Sequence, residues 1–509
     1  MEFKRASGVL LHPTSLPGPY GMGEMGAEAR RWIDSLVTMK QRLWQILPHG
    51  PTSYGDSPYQ ALSTFAGNPM WISFDDLVAD GLLSRSRLSS FPEFPAHTVD
   101  FGPVIEARHA VLDTVCRTFA RRADAQLKAD WEHFCAEQAD WLDDFALYIA
   151  IKHAHGLRPW TEWPAALALR EPAALQQAAR KYQVAIRNVK IVQFLFDRQW
   201  KQLRAYAHER GIQLVGDIPI FVAHDSADVW AHPELFFLDG KGKPIVIAGV
   251  PPDYFSATGQ RWGNPLYRWD IHQHTGYHWW IQRLTRIFEV VDIVRIDHFR
   301  GFEAYWEIPA HEPTAMNGRW VEGPGEDFFD TVMAAIGSLP IIAEDLGVIT
   351  PAVEALRDKY RFPGMRILQF SFGVDITDAE YRPEHFPANC VVYTGTHDND
   401  TTVGWFWSEA GVDSTRTQEE IEQEREAVLA YVQTNGEQIH WDLIALAAKS
   451  NANTAIYPLQ DVLGLGSEAR MNVPGRESGN WRWRFQWSQL TPATMERLAA
   501  VTAWAERDH

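Results

Sequence analysis

The chain has 509 residues, with 47 Lys and Arg against 65 Asp and Glu and a formal net charge of −18. That balance argues against a nucleic-acid partner and against an anionic membrane surface, since both need clustered basic side chains. Hydrophobic residues make up 46% and charged residues 22%, which is globular composition rather than disorder. No run approaches the ~18 apolar residues of a membrane span. The opening MEFKRASGVLLHPTS contains only the short apolar run 8–11, where a secretory signal needs roughly 7–15 residues. A cytoplasmic protein is expected. Cys116, Cys135 and Cys390 match no zinc spacing and read as small buried hydrophobes in a reducing compartment. The 22 Trp suit the flat faces of sugar rings, although composition alone favours core packing for them.

In chain order, short apolar runs bounded by turn residues fall at 8–11, 43–47, 213–222, 290–296, 340–343, 365–370, 390–393 and 454–459. Most are β-branched and too short for helices, so buried strands fit them best. Helical patterns fall between several of them, at 27–39, 279–288, 352–359, 419–433 and 439–449, with a last helix opening at Thr491-Pro492. Thr350 and Pro351 supply an N-cap and a first helical position for the third of these. The long interval from 47 to 213 is mostly helical, and its Ala-rich charged stretches 117–128 and 165–181 read as solvated amphipathic helices. Strands alternating with helices predict an α/β fold, a (β/α)8 TIM barrel with large, mainly helical insertions, with a doubly wound sheet as the alternative.

In a barrel, catalytic side chains sit at the carboxyl ends of strands. Here 213–222 carries Asp217, 290–296 runs into Asp297, 340–343 into Glu344-Asp345, and the seventh run into His397-Asp398. A carboxylate straight after an apolar strand is costly unless it is paired or working. Arg295 and Asp297 are two apart, hence on one face of a strand, and the cation would keep the carboxylate ionised. Glu344 follows Ile341, Ile342 and Ala343 and adjoins Asp345; apolar surroundings and a like charge both push a pKa up, as a general acid requires. Two carboxylates with separated pKa values, flanked by aromatics, are equipment for glycosidic-bond chemistry. The Pro- and Gly-rich stretch 249–264 is too polar for a core strand and reads as a binding loop, as does 53–60.

Gly21-Met22-Gly23-Glu24-Met25-Gly26 fits the dinucleotide pattern, but Pro13, Pro17 and Pro19 separate it from the first strand, and the fingerprint should follow the strand directly. A metal-dependent hydrolase built on His12, His298, His397 and Asp398 lacks the His-x-His pair such a site needs after its first strand. A non-catalytic sugar-binding protein would lack working carboxylates, whereas Asp297, Glu344 and Asp398 all follow predicted strands.

Val294-Arg295-Ile296-Asp297-His298-Phe299-Arg300-Gly301, Ala343-Glu344-Asp345-Leu346-Gly347 and Thr396-His397-Asp398-Asn399 resemble the motifs of the 4-α-glucanotransferases, glycoside hydrolase family 77. So do the loops 53–60 and 249–264, Gly318-Arg319-Trp320-Val321-Glu322-Gly323-Pro324-Gly325 and Arg470-Met471-Asn472-Val473-Pro474-Gly475. The resemblance implies one catalytic barrel over 1–509, with insertions at 53–205 (mainly helical), 226–275 (a substrate loop) and 400–450 (helical), and no C-terminal β-domain. It implies transfer of 1,4-α-glucan segments by a retaining double displacement. By motif position Asp297 is the nucleophile, Glu344 the general acid/base and Asp398 the third carboxylate, with Arg295 and His397 in support. Ser57, Tyr59, Asp253, Gln260, Trp262 and Asn472 are the expected glucan contacts, and Tyr254 and Phe255 would arch over the acceptor side. The expected ligands are maltooligosaccharides and other α-1,4-glucans, with no metal and no organic cofactor, in a monomer or homodimer. An α-glucan hydrolase is the nearest rival, since transfer and hydrolysis differ only in acceptor-site energetics.

Overall fold

The computed structural model describes residues 3–252, 256–373, 381–411 and 416–508. Eight strands make one parallel sheet: β1 Ala6–Leu10, β2 Leu43–Gln45, β3 Gln213–Pro219, β4 Ile293–Asp297, β5 Ile341–Ala343, β6 Gly364–Ile367, β7 Cys390–Tyr393 and β8 Thr454–Pro458. Every strand pairs with its neighbours in sequence except at the seam between β5 and β6, and β8 returns to pair with β1 from Ala6↔Thr454 to Leu10↔Pro458. The seam between β5 and β6 is bridged by Ala343 N donating to Pro363 O at 2.9 Å and by Asp345 Oδ1 accepting from Met365 N at 2.7 Å. The sheet is thus a nearly closed (β/α)8 barrel. β2, β5, β7 and β8 are buried along their whole length, as parallel strands covered on both faces must be.

All eight predicted strands are present; 390–393 matches its strand end to end, and the others shift at one or both ends. Val290 closes the helix His278–Val290 instead of opening β4. The run 365–370 is strand only to Ile367 and then a 3-10 turn, Leu368–Phe370. Between β2 and β3 the chain is mainly helical, dominated by Phe101–Arg122, Ala139–Ala154 and Gln183–Glu209. The stretch 117–128 is not one helix: it breaks at Ala123, and Asp124 caps a new helix, Ala125–Glu137, by accepting from Leu127 N at 2.7 Å.

A second, antiparallel sheet stands on the carboxyl rim, in the order Gln260–Pro265, Val246–Val250, Ala304–Pro309, Arg319–Glu322. The reading of 249–264 as pure loop is therefore corrected at its two ends. Its two edge strands, Gln260–Pro265 and Arg319–Glu322, are polar, and a sheet with a wet face needs no continuous apolar run in every strand.

Trp32, Trp44, Trp71, Trp200, Trp230 and Trp280 are fully buried, so much of the tryptophan content is core. Cys116 and Cys390 are buried as expected, but Cys135 is only half buried. The 21–26 glycines serve close packing: a Cβ on Gly23 would lie 1.8 Å from Pro13 O. Among the described residues no helix is long and apolar enough to cross a membrane.

Candidate active site

Parallel pairing of β3 and β4 sets Asp217 opposite Arg295 and Pro219 opposite Asp297. Arg295 is 4% exposed. Its Nη1 donates to Asp217 Oδ2 at 2.7 Å and its Nη2 to Asp297 Oδ1 at 2.8 Å. Arg295 and Asp297 do share a strand face, and the guanidinium spans two carboxylates, a strong charge-assisted arrangement. Tyr59, from the loop after β2, donates its hydroxyl to the same Asp217 Oδ2 at 2.9 Å. Its ring stacks on His397 at 5.1 Å and 19°, and Trp481 leans against both rings at about 6 Å. His397 Nε2 lies 3.3 Å from Asp398 Oδ2, and Asn472 Nδ2 donates to Asp398 Oδ1 at 2.7 Å. One network of polar and ring contacts therefore joins Asp297, Arg295, Asp217, Tyr59, His397 and Asp398 across the ends of β2, β3, β4 and β7.

Glu344 enters from β5. Its Oε2 accepts from His298 N at 2.7 Å and its Oε1 from Leu346 N at 2.8 Å. His298 directly follows Asp297 and takes a left-handed backbone, φ 56°, an uncommon conformation for a non-glycine residue and one that clusters at functional sites. Here it aims the His298 amide at the acid. Glu344, Asp297 and Asp398 are all partly exposed, the last two with side chains 33% and 45% open, whereas Asp217 beneath them is 1% exposed.

Burial, and next the Asp297 charge, push the Glu344 carboxyl up to about 7, against the pull of Arg295 and the two amides. The expected like charge was Asp345, but that side chain turns away to the β6 amide and to Arg357. The neighbouring anion is Asp297. Burial also lifts Asp217 to about 6, with Arg295 opposing. At Asp398 burial is more than offset by His397 and by the Asn472 hydrogen bond, so this carboxyl is held well below its usual range. Asp398 in turn raises His397 against the effect of burial. The rim thus holds one acid lifted to about 7, Glu344, and one carboxyl held ionised, Asp398, the kind of separation that divides roles between carboxyls.

The remaining predicted contacts fall around this centre. Trp262 is half buried and meets the His298 ring edge-on at 4.8 Å and 88°. Gln260 is exposed and accepts from Trp262 Nε1 at 3.1 Å. Ser57 is half buried and caps its own turn, accepting from Tyr59 N at 3.3 Å. Asp253, Tyr254 and Phe255 lie outside the described residues. His12, offered to a metal in the hydrolase reading, accepts from Leu47 N at 3.3 Å, and burial lowers it to about 3. Among the described residues no three His, Cys, Asp or Glu side chains are grouped to hold a metal ion. Sequence reasoning noticed Asp217 but gave it no role, and it missed Trp481. The first follows from strand register; nothing in the sequence around Trp481 points to the rim.

A nearly closed parallel barrel with unlike carboxyls at the carboxyl ends of its strands, beside stacked rings, defines a barrel enzyme equipped for glycosidic bonds. The family model described as 4-alpha-glucanotransferase, glycoside hydrolase family 77, matches residues 11–491, and the chain belongs to that family. It is 50% identical to the 4-alpha-glucanotransferase of Thermus thermophilus over 515 residues, covering 100% of both chains. It is 48% identical to the enzyme of that name from Synechocystis sp., covering 98% of this chain and 97% of that one. The amylomaltase of Streptococcus agalactiae in complex with acarbose superposes with a TM-score of 0.94 at 38% identity, covering 99% of this chain and 100% of that one.

Proposed function

We propose that the chain transfers segments of 1,4-α-D-glucan to the 4-hydroxyl of an acceptor glucan or of glucose, through a covalent glycosyl-enzyme. Glu344 protonates the glycosidic oxygen while Asp297 attacks the anomeric carbon; the severed fragment leaves from the acceptor side. The incoming 4-hydroxyl gives its proton back to Glu344 and displaces Asp297, so two inversions retain the α configuration. Asp398, held ionised by His397 and Asn472, grips sugar hydroxyls and favours the distorted ring. Arg295 donates to Asp297 Oδ1 and holds that carboxylate in place. Carboxylates supply all the proton and nucleophile chemistry of both steps, so the scheme calls for no metal and no organic cofactor.

Maltooligosaccharides and longer α-1,4-glucans are the substrates. Tyr59, Trp262, Gln260, Ser57 and Asn472 contact the glucan chain, and the family resemblance adds Asp253 as a further contact and assigns Tyr254 and Phe255 to the acceptor. Transfer requires a sugar to outcompete water, which an aromatic-lined acceptor site achieves by orienting the hydroxyl and excluding solvent.

The observation that carries this reading is the pairing of unlike carboxyls: Asp297 bonded by Arg295, and beside it Glu344 lifted to about 7. The test is the product profile from maltotriose. A ladder of longer maltooligosaccharides is expected. Glucose and maltose alone would make the protein a hydrolase.

A further inference from the structure

Two carboxylate oxygens of Glu344 are held by two amides from two different loops. His298 N belongs to the loop after β4, and Leu346 N to the loop after β5. The loops also share main-chain bonds at their roots, Glu344 N to Ile296 O and Phe299 N to Glu344 O, each 3.1 Å. Further out, something else must keep the two amides aimed at one carboxyl. Two residues past His298 stands Arg300, and two residues past Leu346 stands Val348. Arg300 Nη1 donates to Val348 O, and Arg300 Nε reaches Ala304 O at 3.5 Å. Arg300 is 6% exposed, and its guanidinium lies 3.8 Å over the ring of Trp320. Its nearest carboxylate is Glu303, at 4.0 Å. Its bonds go mainly to loop carbonyls and an indole face, which makes it a brace between segments.

The Gly318–Gly325 motif, which the proposed chemistry leaves unused, accounts for the other half of this brace. Trp320 pairs with Trp306 across the rim sheet, and their rings meet at 5.3 Å and 69°. Gly318 gives room for that neighbour, since a Cβ there would lie 2.3 Å from Trp306 Nε1. At the other end, a Cβ on Gly323 would lie 2.3 Å from Phe302 O, and Gly323 N donates to Glu303 O at 2.7 Å. The two glycines let the strand Arg319–Glu322 close onto the Arg300 loop, with Trp320 under the guanidinium.

We propose that Arg300, seated on Trp320, is a positioning residue that locks the β4 and β5 loops together and thereby fixes the Glu344 carboxyl for proton transfer. The inference rests on Glu344 being the general acid/base, and the test separates the two claims. A natural glucan donor needs an acid for its leaving group and a base for its acceptor. α-Maltosyl fluoride with azide needs neither: fluoride leaves unprotonated as Asp297 attacks, and azide then displaces Asp297 without surrendering a proton. Both donors are given to the wild type, Arg300→Gln, Arg300→Lys, Trp320→Ala and, as reference, Glu344→Gln.

For Arg300→Gln, maltotriose disproportionation is expected to fall by about 100-fold, the scale on which a misplacement near 1 Å acts. Its azide-dependent release of fluoride should fall less than about threefold, because an entire acid–base contribution is worth roughly 10²–10⁴ and only that contribution is touched. Trp320→Ala should show the same split more weakly. Arg300→Lys should recover part of the loss, since an ammonium reaches the Val348 carbonyl without the flat stacking. Equal losses on both donors would make Arg300 merely structural, and no loss on either would make it idle; each overturns the proposal. If Glu344→Gln itself failed to discriminate between the donors, the acid/base reading would fall instead.

Discussion

Glu344 does its first task only while it holds a proton. Burial and the Asp297 charge lift its carboxyl to about 7, so the acid form persists to neutral pH and is lost above it. Since the raised pKa belongs to the group that must be protonated, kcat/KM for maltotriose should decline about tenfold per pH unit once pH passes about 7. The alkaline limb should vanish in Glu344→Gln, whose residual activity cannot titrate there. A pH–rate profile of the two proteins decides this, and an unchanged limb in the variant would assign the titration elsewhere. At the same scale, the part of the site that sequence revealed was the part carried by local spacing. Arg295 and Asp297 lie two apart on a strand, and that alone put the cation on the carboxylate. Asp217 was visible as a mid-strand carboxylate, yet its bond to Arg295 exists only because β3 and β4 pair in one register. Asp345 shows the converse error: adjacency in sequence suggested a like charge on Glu344, but successive residues at a strand end point opposite ways, and Asp345 faces the seam.

Among elements, the barrel strands were legible because strands buried on both faces read as unbroken apolar runs. The rim sheet was not, because Gln260–Pro265 and Arg319–Glu322 carry polar and glycine residues on a half-wet sheet. Helix boundaries show the same division. The helix Pro351–Lys359 announced itself through Thr350 and Pro351, whereas the break at Ala123-Asp124 went unread inside a helix-forming stretch. That break depends on a cap, so Asp124→Ala should cost about 1 kcal/mol of stability and leave kcat/KM unchanged, the helix being remote from the rim carboxylates. Denaturant midpoints and initial rates on maltotriose measure both. A variant as stable as the wild type would show that the two helices are set by packing alone.

For the whole molecule, the site exists because closure of the sheet gathers residues that are far apart in the chain. Tyr59, Asp217, Asp297, Glu344, Asp398 and Asn472 come from six separate segments, and β8 pairing with β1 is what brings the last of these round to the first. Closure also explains why helical insertions of great length are tolerated: they leave from loops and do not interrupt the strand order. The double displacement requires one particular carboxylate, Asp297, to receive the sugar. Glu344→Gln incubated with α-maltosyl fluoride should accumulate a glycosyl-enzyme, since the fluoride leaves without acid help while the next step lacks its base. Peptide mass mapping is predicted to find the maltosyl group on Asp297. Fluoride release with the sugar on Asp217 or Asp398, or with no peptide modified, would contradict it.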